Sequence, residues 1–237
     1  MAAAKRRAPA LVACLCALAW ILAGGGSARA FVLPSDVPVG AGSVWEYRSN
    51  LGRTVVRMLE REELGDDLCR YTWDMQVFGL RYTEGLELTP ARLTARWRHL
   101  SGFGLFGRRF EFAVPELILA LPLEVGREWE WTGPVQSGKE TKTAYAAGRV
   151  VARQVITVPA GTFETYHILL ERTDEFGTRQ QIELWFDPQV GPIKAVGDLR
   201  WRGAIGLVQD LVGLHRFEVE LLAYKIEPPE RQEDSLH

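Results

Sequence analysis

The chain has 237 residues, of which 47% are hydrophobic, enough to bury a core of its own without disulfide support. It carries 28 Lys and Arg against 30 Asp and Glu, a balance that excludes a general affinity for nucleic acid or anionic membranes.

At the N-terminus Lys5, Arg6 and Arg7 precede the apolar run APALVACLCALAWILA and then GGGSARA, with Ala28 and Ala30 at small-residue cleavage positions. This pattern predicts a secretory signal over residues 1–30, cleaved after Ala30, and hence a periplasmic or secreted protein. The run is shorter than the roughly 20 residues a membrane helix needs. LVAC ending at Cys14 has the look of a lipobox, but Cys14 sits inside the apolar run rather than after it. Removing the segment takes four basic residues, leaving 24 Lys and Arg against 30 Asp and Glu. It also takes Cys14 and Cys16, so Cys69 in CRYTW stands alone and is expected to be buried and structural.

VPVGAGSVWEYR at 37–48 aligns without gaps on LPLEVGREWEWT at 121–132. Pro38 matches Pro122, Gly42 matches Gly126, Trp45 matches Trp129, and Tyr47 matches Trp131. Each copy reads as a turn followed by a strand, with the two aromatics on one face. The expectation is one β domain over 31–226 in two related halves, about 37–120 and 121–226.

Further strands are predicted over 54–64, 68–79, 92–100, 149–158, 162–172, 180–187 and 216–226, each rich in β-branched or aromatic residues and bounded by Gly, Pro or Asp. One short helix over 204–214 has the right apolar spacing. The tail from Glu227 is polar and proline-bearing and is expected to be disordered. Two turns carry clear chemistry. In VPAGT, Pro159 sets the φ and Gly161 takes a positive one; in WFDPQVGPIK, Pro188 and Gly191 do the same after Asp187.

The order P-x-x-x-G-x-x-W, VPAGTF, W-F-D-P-x-V-G-x-I-K resembles an uncharacterised family of exported bacterial proteins sometimes labelled TapB-like, over roughly residues 37–226. The resemblance implies an all-β domain, an antiparallel curved sheet or half-barrel with at most one or two short helices, and brings no catalytic residue or cofactor. This chain departs from the family at Asp187, at Pro192 and in a glycine-punctuated stretch from Gly203 to Gly213.

Thr162, Glu164 and His167 lie close enough in sequence to suggest a nucleophile, acid and base. Strand alternation places His167 on the face opposite Thr162 and Glu164, so a non-catalytic protein is expected. His99, His167, His215 and His237 show no metal-ligand spacing, so no metal and no cofactor are expected. Five arginines between residues 91 and 110 include Arg96 and Arg98. Arg92, Thr94, Arg96 and Arg98 alternate with Leu93, Ala95, Trp97 and His99 as a strand with one solvated face would.

Two functions fit. The first is an envelope binding module sheltering a lipid or other hydrophobic ligand, with Trp97, Trp45, Trp129, Arg96 and Arg98 as candidate ligand-binding residues beside the LILALPL run at 117–123. The second is a structural or protein-interaction module of the envelope.

Overall fold

The computed structural model describes residues 39–50, 52–65, 67–77, 80–102, 106–200 and 215–229. The expected signal segment, the short helix over 204–214 and residues 230–237 of the tail lie outside the described residues. Among those described there are twelve strands: β1 Val44–Ser49, β2 Gly52–Glu63, β3 Cys69–Val77, β4 Leu80–Thr89, β5 Arg92–Gly102, β6 Phe106–Ala120, β7 Glu128–Ser137, β8 Glu140–Val158, β9 Gly161–Asp174, β10 Arg179–Asp187, β11 Gly191–Arg200 and β12 Arg216–Lys225.

Every strand pairs antiparallel with its neighbours in sequence, and β1 also pairs with β12, from Val44 with Lys225 to Ser49 with Val219. The sheet is therefore a closed barrel, which corrects the expected half-barrel. The difference lies in that last pairing, between strands at opposite ends of the chain, which no local pattern encodes. Closure removes the two exposed edges that an open sheet of twelve strands would present.

The inner face is apolar and the outer face charged. β7 shows the rule, with Trp129, Trp131 and Val135 buried while Glu128, Glu130 and Gln136 are exposed. The outer wall continues with Arg149, Glu171, Arg179 and Glu183. This is the reverse of a barrel whose outer band faces lipid.

The two G-x-x-W motifs build the same local structure. Gly42 and Gly126 both have positive φ, 87° and 91°. The Gly42 amide donates to the Met58 carbonyl, whose own amide donates back to Ser43 O; Gly126 and Arg127 make the same exchange with Val150. In each, the Trp at the third position after the glycine turns inward. β1 and β7 run in the same direction, six strands apart around the ring.

Both predicted turns form, with φ of 143° at Gly161 and 102° at Gly191. Asp187 caps its turn by accepting from the amides of Gln189 at 2.6 Å and Val190 at 3.2 Å. Cys69 is buried and unpaired. The tail is ordered further than expected: Glu227 accepts from the Gly40 amide and donates to Ser43 Oγ.

β4, β6 and β11 were not anticipated. β6 carries Pro115 and an apolar run without alternation, and its ladder to β7 is confined to Glu111 with Gln136 and Phe112 with Val135. By contrast the β8–β9 ladder runs from Ala144 with Asp174 to Val158 with Gly161, with a single register shift between Val150 and Ala152. The β6–β7 seam is the least hydrogen-bonded part of the wall.

Candidate functional site

A barrel of eight strands is just filled by its own side chains, and diameter grows about linearly with strand number. Twelve strands enclose more room, and here that room holds charge. Glu84, Arg98, Glu116 and Arg172 all point inward and are buried.

Register places them. Trp73 on β3 lies opposite Glu84 on β4, which lies opposite Arg98 on β5. Arg98 Nε donates to Glu84 Oε1 at 2.5 Å, and its Nη1 and Nη2 donate to Glu116 at 3.0 and 3.3 Å. The same guanidinium sits 4.9 Å from the centre of the Phe112 ring, which meets Trp131 edge-on at 6.0 Å. Trp131 lies opposite Ala146, Ala146 opposite Arg172, and Arg172 opposite Gln180. Arg172 Nε closes the loop onto Glu116 at 3.2 Å, while its Nη1 holds Asp174 at 2.8 Å. The result is a polar belt along the inner face from β3 to β10, interrupted by Phe112 and Ala146 and ended by Met58 opposite Trp73 on β2 and Leu199 opposite Gln180 on β11.

Several polar atoms of this belt have no hydrogen-bond partner: Trp73 Nε1, Glu84 Oε2, Trp131 Nε1 and Gln180 Oε1. Trp129 Nε1, one inward position further along β7, shares that state. A buried polar atom left unpaired costs about 1–3 kcal/mol, and outside the β6–β7 seam most backbone groups of the wall are consumed by the strand ladders. Water or a bound molecule is the remaining source.

The electrostatics follow from counting. Glu84, Glu116 and Asp174 face Arg98 and Arg172, one carboxylate in excess if all are ionised. Burial resolves this by pushing the Glu84 carboxyl up to about 7, against the opposing pull of Arg98. Burial also works against the Arg98 charge, but Glu116, Tyr82 and Glu84 hold its proton well above the usual range.

The residues expected from sequence scatter. Trp45 is buried in the barrel wall, its Nε1 donating to Val190 O at 2.7 Å. Trp129 lies inward across from Gly148, where a Cβ would come within 2.2 Å of the indole. Arg98 joins the belt, whereas the alternation of its segment placed it on the solvated face with Arg96. Trp97, expected on the apolar face, stands on the outer wall instead, over Gly85 and 4.5 Å from the Arg109 guanidinium. The cause is a bulge between Ala95 and Trp97, which inserts Arg96 and reverses the phase of everything after it. Arg96, on the outer wall, pairs with Glu87 at 3.2 Å.

Arg96, Trp97, Arg109, Glu111 and Gln136 line an open outer cleft of about 500 Å³ at the β6–β7 seam. The Trp97 faces there are already taken by Gly85 and Arg109.

Thr162, Glu164 and His167 each have other partners: Thr157 at 3.0 Å, Arg153 at 2.8 Å and Glu183 at 3.2 Å respectively. His167 also stacks on Trp185 at 4.6 Å. The expected uniform alternation along this strand does not hold. Phe163 and Thr165 are buried in one phase and Ile168, Leu170 and Arg172 in the other. The hairpin tip accounts for the change, reaching over to β12 where Ala160 N–H donates to Leu221 O and Phe163 meets Tyr224.

Glu84, Glu116, Arg172, Asp174, Trp73 and Gln180 were not singled out from sequence, whereas Trp131 was read only as one of an inward aromatic pair. A signal existed for two. Glu84 falls on the apolar phase of Tyr82, Leu86 and Leu88, and Arg172 follows Ile168 and Leu170 at strand spacing.

No family model matches the chain, and no curated protein does. Among solved structures, a candidate lipoprotein from Parabacteroides distasonis is similar over 79% of this chain and 97% of its own length, with 11% identity and a TM-score of 0.48. A likeness so distant carries no functional argument.

Proposed function

We propose that this is an exported envelope protein that binds rather than catalyses, and that its ligand sits inside the barrel. The observation that carries the reading is the set of unpaired buried polar atoms on the belt, in a barrel of more strands than side chains alone fill. Around the belt the inner wall is apolar, with Met75, Leu80, Leu100, Val135, Leu199 and Phe217. The ligand is accordingly amphipathic: an apolar body with a hydrogen-bonding end. This keeps the expected hydrophobic ligand and adds a polar group to it.

Export rests on the signal pattern of residues 1–30, and a place outside the bilayer core on the charged outer wall. The separate partners of Thr162, Glu164 and His167 support binding over catalysis by that cluster. The matching hydrogen bonds at Gly42 and Gly126 support a reading of β1–β6 and β7–β12 as related halves.

The test is extraction of the protein, purified from its native envelope, with organic solvent, followed by mass spectrometry. A near-stoichiometric amphiphile is expected. A clean extract, with no change in tryptophan fluorescence on titration with lipids, contradicts the reading and favours an envelope interaction module.

A further inference from the structure

Resting on that reading, we infer that the belt selects ligands by the charge of their buried end: it accepts an uncharged group that both donates and accepts hydrogen bonds, such as a hydroxyl or amide, and rejects a carboxylate or an ammonium.

The donor and acceptor inventory decides this. The unpaired donors are the Trp73, Trp129 and Trp131 indole N–H groups; the unpaired acceptors are Glu84 Oε2 and Gln180 Oε1. A carboxylate satisfies the first set and meets the second with lone pair against lone pair. An ammonium does the opposite, leaving the indoles without an acceptor. A hydroxyl or amide serves both sets at once.

Against a carboxylate, charge points the same way; an ammonium is disfavoured only by the indoles it leaves without an acceptor. Among the described residues, the groups facing Glu84 are Arg98 from β5, Tyr82 from its own strand and, across the ring, Glu116 from β6, with Arg172 and Asp174 from β9 beyond it. Both arginines are already paired with carboxylates, so neither is left to neutralise an incoming anion. With Glu84 ionised the group is one negative charge in excess, and a second anion in that enclosed space lacks a counterion. Glu84, whose proton is held to about 7, thereby sets the discrimination near neutral pH.

Isothermal titration of the exported protein at pH 8 with 1-monooleoylglycerol, oleate and oleylamine tests the selection. The glycerol ester is expected to bind at least about tenfold tighter than either charged probe, the effect of one unmet buried charge or hydrogen bond. Glu84→Gln removes the excess charge and should bring oleate several-fold closer to the ester. Trp131→Phe keeps an aromatic side chain, removes one donor and should weaken the ester by about fivefold. Oleate binding as tightly as the ester overturns the selection while leaving interior binding standing. Failure of all three probes to bind the folded protein overturns both.

Discussion

Trp45 with Tyr47 and Trp129 with Trp131 hold matching positions in two copies of one motif, yet their polar atoms meet opposite fates. Trp45 Nε1 donates to Val190 O at 2.7 Å and Tyr47 Oη to Pro192 O at 3.0 Å. Trp129 and Trp131 are nearly as buried, at 7% and 8% exposure, and neither Nε1 has a partner. The first pair packs on the FDPQVG turn, where a register shift between Trp185 and Phe186 leaves carbonyls outside the ladder. The second pair lies beside the β6–β7 seam and faces the charged belt. One copy of the motif is completed by the fold, and the other leaves hydrogen-bonding capacity directed into the interior.

That contrast breaks most severely at Glu116, which accepts from both Arg98 and Arg172. Glu116→Gln leaves two buried guanidiniums sharing weaker partners, and chemical denaturation should show a loss of about 3–5 kcal/mol. Next in size is a pH dependence. The folded Glu84 carboxyl titrates above its unfolded range, so its contribution to stability is complete below the ordinary carboxylate pKa and is lost as pH rises through about 7. Denaturation midpoints of the native protein should fall across that interval, and those of Glu84→Gln should fall less; parallel curves for the two would contradict it.

Trp45→Phe and Trp131→Phe sharpen the comparison directly. The first strands the Val190 carbonyl and should cost about 1–3 kcal/mol. Gly161→Val belongs in the same range, about 1–3 kcal/mol, because its φ of 143° strains a β-branched residue. Trp131→Phe loses the same indole volume, but with it a donor that has no protein acceptor, so it should cost clearly less than Trp45→Phe. Equal losses at Trp45 and Trp131 would erase the distinction between the two copies.

The local features of the fold were legible in sequence. Gly161 and Gly191 take the positive φ that their turns demand, and both G-x-x-W motifs turn a Trp inward, because each is governed by a few neighbouring residues. Closure was not legible, since the β1–β12 pairing joins segments about 180 residues apart along the chain. Nor was the site. Arg96 looks like one more residue of an alternating strand, and as a bulge it sends Arg98 inward and Trp97 outward. Two-residue periodicity identifies faces only until the first bulge, and this barrel places one beside its most charged interior position.

The most direct measurement of whether the interior holds a ligand is an electron-density map of the protein purified from its native envelope. Continuous density for a non-protein molecule within hydrogen-bonding distance of Trp73 Nε1, Glu84 Oε2 and Trp131 Nε1 is the expected result. Separate water peaks at those atoms, with the remaining interior closed by side chains, would contradict it.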